Sequence, residues 1–493
     1  MDSKAPPGAA ASFIARFTVL FGAVRELWIV FGVKLIGIAA YGVMNSTLVL
    51  WLSSDLGFGD VKAGTIVTAW SSLMTLTTVL VGSLTDAIGL RKAFLIGIWI
   101  CVFSRLTMTA STAWPVALGL GLLPLALGEA LLGPVMVAAI KRCTSVAQRS
   151  ISFSIFYAMM NAGYAIANLL FDLVRKGLGE YGRLAMPVGG EISTYRTLFL
   201  ISLLLTIPNL ILLQFFFREG VEVTDTGVQL VPPRQKSHGP LLRQAWASTR
   251  DALRETLRIF GGLWRQSGFY KFLVFLSLAA FVRLIFFHLF YTYPKFGIRE
   301  LGEGAPVGRL FMVNSVLIMV LVPIVGALTQ RISAYRMVVG GSTIAALSVF
   351  VMALPPQWFT GLANGFLGDA VGHWYLGVEG VVHPYYVMIF LFITTLSVGE
   401  AFYSPRLYEY AAAIAPKGQE ASYMALSYLP FFLAKSIVGV FSGILLEYFC
   451  PAVGPRNSQM LWLIIALTTA IAPLGLFVLR PYIQVKEAGR EET

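Results

Sequence analysis

Residues 82–92 read GSLTDAIGLRK, and residues 326–336 read GALTQRISAYR. The two segments share Gly, Leu, Thr and Ile in the same register, and each one ends in a basic residue. Each segment follows the second long apolar run of a set of six. A segment repeated at matching positions indicates two similar halves, arranged as parallel repeats about a central site.

The apolar runs on either side of these segments predict membrane-spanning helices. The chain of 493 residues is 57% hydrophobic and only 13% charged, and its mean hydropathy is +0.75. Lipid offers the backbone no hydrogen-bond partner, and runs of about 20 residues suit helices rather than barrel strands. We therefore expect an all-α polytopic membrane protein with about twelve helices. They are predicted at residues 28–52, 61–84, 93–113, 114–140, 150–171, 196–217, 269–293, 306–330, 335–354, 384–405, 421–446 and 458–479.

These runs divide the chain into two six-helix bundles, at residues 28–217 and 269–480. The tails are residues 1–27 and 481–493, and a linker spans residues 218–268. Lys and Arg are more frequent in the tails, the linker and the loops on the same side, which predicts that both termini are cytoplasmic. In the linker, apolar and basic residues alternate at helical spacing, which predicts an amphipathic helix on the inner membrane surface that joins the two bundles. The compact loops and the lack of a cleavable leader favour a bacterial inner membrane.

Composition also excludes several functions. The net charge of +12 is explained by basic loops that face anionic lipid headgroups, so we expect no nucleic-acid partner. Three cysteines form neither a disulfide framework nor a zinc pattern, and we expect no metal or cofactor. There is no phosphate-binding loop and no appended catalytic domain. A membrane enzyme or receptor is therefore disfavoured, and we expect a transporter. The Gly- and aromatic-rich outer loop at residues 355–383 specifies no chemistry.

The segment GSLTDAIGLRK resembles the loop 2–3 signature of the major facilitator superfamily. Gly82 allows helices to approach closely, and Gly89 allows a tight turn. Asp86 can lie against a helix N-terminus, and Arg91 and Lys92 form a basic anchor on the inner face. The resemblance implies a gate in which Asp86 and Arg91 hold the cytoplasmic side shut. The alternative is an ordinary turn that follows the positive-inside pattern.

Three further stretches narrow the resemblance. They read AAYGVMNSTLVLWLSSDLGFGD in helix 1, FYAMMNAG in helix 5 and GEAFYSPRLYEY in helix 10. Together they resemble the proton-dependent oligopeptide transporter family. The resemblance implies uptake of di- or tripeptides by alternating access, driven by a proton gradient, and the resemblance to the major facilitator superfamily implies a monomer. It also implies that Asn161 bonds a peptide amide and that Glu400, with Ser404 beside it, pairs with a substrate amine. Tyr41 and Tyr157 would line the wall of the site.

The chain departs from this family in two motifs. The family has a Glu-x-x-Glu-Arg stretch in helix 1, and Val33, Ile36 and Gly37 stand at those positions here. The family's helix 4 lysine precedes a proline, and here Gly133 precedes Pro134. In the family, these groups are associated with proton coupling and with the peptide carboxylate. An exporter or uniporter of another amphiphilic solute, such as a drug or a metabolite, is therefore the alternative function.

Other charged residues lie within the predicted helices. A charge at the bilayer centre costs at least about 3 kcal/mol, so it usually faces a cavity or a partner. Lys34 either replaces a missing cation or extends to the inner membrane surface. Arg105 and Arg283 each hold either an anionic substrate group or a buried carboxylate. Lys435 is a candidate partner for Glu400 across the cavity.

Glu400, Glu129 and His288 are the candidates for proton coupling. Glu129 is an acid in helix 4 without an assigned partner. His288 titrates near neutrality when unperturbed, although a lone histidine is more often a packed, hydrogen-bonded residue. Glu400 is our candidate switch acid. It would bind either a proton or a substrate cation, and its neutralisation would favour closure of one gate.

Overall fold

A computed structural model of the protein describes residues 20–187, 189–224, 227–230, 250, 254, 267–329, 332–414 and 428–484. The predicted amphipathic helix of the linker lies outside these residues, apart from positions 250 and 254. Twelve long helices are present in the described part of the chain. They are α1 (Arg25–Ser54), α2 (Asp60–Ile88), α3 (Leu90–Ala110), α4 (Trp114–Arg142), α5 (Val146–Leu178), α6 (Thr194–Phe216), α7 (Ser267–Tyr291), α8 (Val307–Leu328), α9 (Ala334–Ala353), α10 (Pro384–Ile414), α11 (Tyr428–Phe449) and α12 (Ser458–Val478).

Smaller elements fill the connections. Strands β1 (Arg183–Ala185) and β2 (Glu191–Ser193) form an antiparallel hairpin between α5 and α6, with Leu184 opposite Ile192. After α6, strands β3 (Val221–Thr224) and β4 (Gly227–Leu230) form a second antiparallel hairpin. The remaining helical elements are short: Tyr293–Leu301 after α7, then Pro356–Phe359, Thr360–Ala363, Phe366–Gly368 and Asp369–Leu376 between α9 and α10, and Arg480–Ile483 after α12.

The composition of the helices suits a membrane. In the described residues, 11 helices are long and apolar enough to span one, which is every long helix except α2. In α2, the hydroxyls of Thr65, Thr75 and Thr78 each donate to the backbone carbonyl four residues earlier. Such bonds satisfy hydroxyls that would otherwise lack a partner in an apolar environment. The prediction of an all-α polytopic membrane protein is confirmed.

The helices pack as two equivalent sets of six. In the first set, α1 packs on α5 and α6, α3 packs on α4 and α6, and α2 packs on α4. In the second set, α7 packs on α11 and α12, α9 packs on α10 and α12, and α8 packs on α10. Adding six to each number of the first set gives the second set. This is the packing that a parallel repeat produces.

Contacts between the two bundles follow the same symmetry. Helix α2 packs on α11, and α5 packs on α8. When six is added to each helix number, and the numbering continues from 1 after 12, the interface of α2 with α11 becomes the interface of α8 with α5. Because the number of long helices is even, α1 begins and α12 ends on one side of the molecule. We call this side the termini side and the opposite side the far side.

The connection between α2 and α3 is shorter than predicted. Helix α2 continues to Ile88, and Gly89, with φ of 89°, is the one residue between the two helices. A positive φ of this size strongly favours glycine. Arg91 follows directly and donates from Nη2 to the carbonyl oxygen of Gln214 at the end of α6, at 2.6 Å. The side chain of Asp86 lies outside the described part, so a latch between Asp86 and Arg91 stays a prediction.

Candidate functional site

A buried ion pair lies within the first bundle. Arg105 of α3 donates from Nη2 to Oε1 of Glu129 on α4 at 2.5 Å, and from Nη1 to Oγ1 of Thr206 on α6 at 2.7 Å. Only 2% of the Arg105 side chain and 10% of the Glu129 side chain are exposed. Of the two roles predicted for Arg105, this arrangement corresponds to the one in which it holds a buried carboxylate. Glu129 thereby has the partner that the sequence did not assign.

Lys34 lies beside this pair without forming a bond to it. Its Nζ stands 4.3 Å from the centroid of the Phe156 ring, and its charge acts on Glu129. Within the described residues, no hydrogen bond or ion pair reaches Nζ. Lys34 is 7% exposed, so it does not extend to the membrane surface. The group formed by Lys34, Arg105 and Glu129 therefore carries one net positive charge when all three residues are ionised.

Two positions of the missing family motif face another helix. The carbonyl oxygen of Val33 accepts from Nδ2 of Asn209 on α6 at 3.3 Å. A Cβ at Gly37 would lie 3.2 Å from the same nitrogen. These positions therefore pack against α6, whereas Lys34 turns towards α4 and α5. Lys34 therefore stands at a different position in helix 1 from the arginine of the family motif.

In the second bundle, a carboxylate has an amide as its partner. Oε2 of Glu400 on α10 accepts from Nδ2 of Asn314 on α8 at 3.0 Å, and Asn314 also donates to Oγ of Ser397 at 3.0 Å. Glu400 is 8% exposed, and the charge of Arg283 on α7 acts on it. Sequence reasoning missed Asn314. Its signal was a single amide within the apolar run FMVNSVLIMV.

Lys435 does not pair with Glu400. Its Nζ lies 5.9 Å from the centroid of the Phe287 ring on α7, and no ion pair joins it to Glu400 in the described part of the chain. The physical reason is that α11 packs on α2 and α7, whereas α10 packs on α8 and α9. Helices 10 and 11 are neighbours in sequence, and they are not neighbours in this part of the fold.

Aromatic residues connect the charged groups of the two bundles. Tyr41 of α1 interacts with Glu129, with Tyr164 of α5 and with Tyr291 of α7. The Tyr164 ring lies 6.2 Å from that of Phe290, and the Tyr291 ring stacks on Phe287 at 6.5 Å. We call Tyr41, Tyr164, Phe290, Tyr291 and Phe287 the aromatic layer, which lies between Glu129 and the ring beneath Lys435. Tyr41 was predicted from sequence, and the other members of the layer were not.

The remaining predicted residues have local contacts. Asn161 donates from Nδ2 to the carbonyl oxygen of Tyr157 at 3.0 Å. Tyr157 packs against an apolar cluster of the second bundle, and Ser404 is buried one turn after Glu400. His288 is fully buried, and its Nδ1 bonds Oγ1 of Thr292 at 2.9 Å and Oγ of Ser442 at 3.0 Å. These are contacts of a packed histidine that ties α7 to α11.

At the far side, ionic contacts join the two bundles. Asp60 at the start of α2 accepts from Nζ of Lys295 at 2.7 Å and from Nη1 of Arg299 at 2.8 Å. Lys295 also donates to Oγ of Ser53 at 2.5 Å, and Arg299 donates to the carbonyl oxygen of Cys450 at 2.6 Å. Burial lowers the pKa of Lys295, although the charge and hydrogen bond of Asp60 act in the opposite direction.

A second far-side contact is centred on Asp172 of α5. Its carboxylate accepts from the backbone N–H groups of Gly308 at 2.9 Å and Arg309 at 2.5 Å. It thereby caps the N-terminus of α8, where a negative charge is favoured. Arg175 donates to the carbonyl oxygen of Ala305 at 3.1 Å and to Oε2 of Glu180 at 2.6 Å. The side chains of Asp172, Arg175 and Glu180 are all nearly inaccessible to solvent.

Glycines bring the backbones together between these ionic contacts. A Cβ at Gly64 of α2 would lie 2.1 Å from the carbonyl oxygen of Gly439 on α11, and a Cβ at Gly308 would lie 2.4 Å from that of Asn168 on α5. We call these glycines and the contacts of Asp60 and Asp172 the far-side seam. The seam holds the two bundles together on that side.

Comparisons with known proteins agree with this architecture. The Major Facilitator Superfamily model matches residues 29–371. A crystal structure of a POT family transporter in complex with 5-aminolevulinic acid superposes with a TM-score of 0.67 at 16% identity, covering 94% of this chain and 98% of that chain. A POT family transporter in complex with a thioalcohol conjugated peptide gives 0.67 at 16% identity, covering 94% and 97%. The peptide transporter POT in complex with sulfate gives 0.67 at 16% identity, covering 94% and 96%.

A search of curated protein sequences found no match. At such low identity, the solved structures establish the fold alone. The family model, however, matches well over half of the chain. The chain therefore belongs to the Major Facilitator Superfamily.

Proposed function

We propose that this major facilitator is a secondary active transporter that couples a proton gradient to the uptake of small peptides or peptide-like solutes. The observation that carries the proposal is the placement of opposite charges on the two bundles. Lys34 on the first bundle has no anionic partner bonded to it in the described residues, and Glu400 lies on the second. A solute with a carboxylate and an amine would bridge them across the aromatic layer.

The structural neighbours support this reading of the charges. One of the POT family structures is a complex with 5-aminolevulinic acid and another is a complex with a conjugated peptide. 5-Aminolevulinic acid carries an amine at one end and a carboxylate at the other. In this chain, the carboxylate would contact Lys34 and the amine would contact Glu400, with the solute between the bundles as in other transporters built from repeats.

For proton coupling, we assign Glu400 as the switch. When ionised, its carboxylate accepts from Asn314 and lies within the field of Arg283. Protonation would weaken the interaction with Arg283, because that interaction depends on the negative charge. The loss of this contact on the second bundle would favour closure of one gate. This route does not require the acids that the family has in helix 1.

The membrane orientation predicted from the distribution of Lys and Arg indicates which side of the protein is closed in this conformation. With both termini in the cytoplasm of a bacterial inner membrane, the far-side seam faces outward. The described conformer would then be closed to the outside. Transport by alternating access would require the seam to open and the termini side to close, with the segments at residues 82–92 and 326–336 as the opposing gate.

The test is uptake of di- and tripeptides by purified protein in proteoliposomes, with and without an inward proton gradient. We expect uptake that rises with the gradient, and Glu400→Gln should remove that rise and also weaken peptide binding, because Glu400 is the proposed contact of the substrate amine. Uptake that is unaffected by the gradient in the wild-type protein would contradict the coupling. Proton-driven uptake that is unchanged in Glu400→Gln would exclude this residue as the switch.

One observation favours an exporter or uniporter of another amphiphilic solute. Val33 and Gly37 pack against α6 where the family has charged residues, and the layer around Tyr41 and Tyr291 is aromatic. A drug-like or metabolite-like solute would use this apolar surface. The two functions are separated by the same proteoliposomes, because this solute would move without a proton gradient and would not be displaced by dipeptides.

A further inference from the structure

The charges at the centre of the molecule do not balance. The site contains two carboxylates, Glu129 and Glu400. It contains four basic side chains of Lys and Arg, which are Lys34, Arg105, Arg283 and Lys435. Arg105 is bonded to Glu129, and the charge of Arg283 acts on Glu400. Lys34 acts on the same carboxylate as Arg105, so this group keeps one excess positive charge, and Lys435 on the other bundle adds a second.

Both lysines lie over a phenyl ring, and Lys34 is buried whereas Lys435 is partly exposed. Lys34 has its Nζ 4.3 Å from the centroid of Phe156, and Lys435 has its Nζ 5.9 Å from that of Phe287. In the described part of the chain, neither ammonium group has a hydrogen bond or an ion pair. A cation over a phenyl ring recovers only about 0.5–2 kcal/mol. Withdrawing the buried Lys34 ammonium group from water costs more than that, so an additional anion would stabilise it, and the partly exposed Lys435 is accessible to an anion as well.

Lys34 lies on α1, Lys435 lies over a ring of α7, and these two helices contact each other. The charge of Glu129 acts on both Tyr41 and Lys34, and Tyr291 stacks on Phe287 beneath Lys435. Helix α1 contacts α7, so the layer includes residues of both bundles. A solute in contact with these rings would have a cation near each end.

We propose that the transported solute is anionic and carries two acidic groups, one for Lys34 and one for Lys435. The inference rests on the proposed function and narrows it. Among peptides, it selects those with an acidic side chain, because the terminal carboxylate and the side-chain carboxylate then each meet a lysine. The amine of such a peptide remains for Glu400, and every charge of the solute has a partner.

The test is binding and uptake of four solutes by the full chain in proteoliposomes. They are alanyl-alanine, alanyl-lysine, alanyl-glutamate and N-acetylated alanyl-glutamate. We expect alanyl-glutamate to bind at least about tenfold more tightly than alanyl-alanine, the ratio that corresponds to about 1.4 kcal/mol. Alanyl-lysine should bind least well. Lys435→Gln should remove the preference for the acidic peptide, Lys435→Arg should keep it, and Lys34→Gln should weaken both peptides.

Lys271 provides the matched control. Its Nζ lies 5.8 Å from the ring of Tyr482, so it has a similar contact outside the central site. Lys271→Gln should leave the preference unchanged. Equal binding of alanyl-alanine and alanyl-glutamate by the wild-type protein would overturn the inference and leave peptide transport standing. Binding of the acetylated compound without uptake of any free peptide would support two acidic groups and reject the peptide function. Binding of none of the four would reject both.

Discussion

The far-side seam and the central site both contain buried charges, and the two regions treat them differently. At the seam, Asp60 has Lys295 and Arg299 as partners, and Asp172 has the N-terminus of α8. At the centre, Lys34 and Lys435 each lie over an aromatic ring and have no hydrogen bond or ion pair among the described residues. Charges that the protein itself satisfies stabilise one conformation. Charges that it leaves unsatisfied are available to a ligand.

The energies make this difference important for transport. Removing one member of a buried ion pair costs about 3–5 kcal/mol, and about 1.4 kcal/mol changes a conformational ratio tenfold. Two contacts of this size would hold the seam shut almost completely unless the other conformer had contacts of similar strength. The repeated segments at residues 82–92 and 326–336 lie at the termini side and are the candidates for these competing contacts.

The largest effect should come from filling the seam with a side chain. A Cβ at Gly439 would lie 2.2 Å from Oγ1 of Thr68 and 2.6 Å from the carbonyl oxygen of Gly64. Gly439→Leu should therefore prevent closure and reduce uptake by about 100-fold or more. Ser72 of α2 bonds Ser436 of α11 at 2.8 Å across the same interface, so a cysteine introduced at Ser72 should become reactive to an impermeant maleimide from the far side. Gly119→Leu is the control, because no atom lies within 4 Å of a Cβ at that position.

Removing a charge from the seam should have the next largest effect. Asp172→Asn keeps the shape of the side chain and loses the charge that faces Arg175 and the N-terminus of α8. We expect closure to be weakened by about 3 kcal/mol, measured as a roughly 100-fold rise in far-side labelling at Ser72. Arg183→Gln removes a pair with Glu191 whose side chains are 74% and 54% exposed, and it should change labelling little. Equal labelling of the two variants would show that Asp172 does not hold the seam.

The sequence was sufficient for the fold and for most charges of the central site. Long apolar runs fix helices in lipid, and a charge within such a run is conspicuous, as with Lys34, Glu129 and Glu400. The partners were harder to predict, because they depend on which helices are neighbours in space. Lys435 was assigned to Glu400 from adjacent helices and instead faces α7. Asp60 and Asp172 lie near helix ends, where a charge looks like an ordinary surface residue until the opposite bundle is in place.

Substitutions in the ion pair of Arg105 and Glu129 should have a smaller effect than substitutions in the far-side seam. Glu129→Gln leaves an oxygen that still accepts from Arg105, so we expect a loss of roughly 2 kcal/mol in stability. A lower melting temperature in detergent would measure this. The double variant Arg105→Gln, Glu129→Gln should be less destabilised than the sum of the single variants, because neither charge is then left unpaired. Additive effects would show that the two residues do not act as a pair.

The smallest effect concerns a far-side carboxyl outside the membrane. Burial raises the pKa of Asp55, although a hydrogen bond from Ser193 and the charge of Arg196 act in the opposite direction. The folded protein therefore binds this proton more tightly than the unfolded chain does. Its contribution to the free energy of unfolding should increase as the pH falls through the folded pKa, and it should be complete below the ordinary pKa of about 3.9.

Melting temperatures of the wild-type protein and Asp55→Asn between pH 7 and pH 4 would measure this contribution. As the pH falls, the melting temperature of the wild type should rise relative to that of Asp55→Asn, by less than about 2 °C. Asp369→Asn, at a side chain 54% exposed, is the control and should run parallel to the wild type. A constant difference between the wild type and Asp55→Asn would contradict the assignment. This outcome separates the pH response of the far-side loops from that of the central site. The far-side response has to be subtracted before any pH dependence of transport is attributed to Glu400.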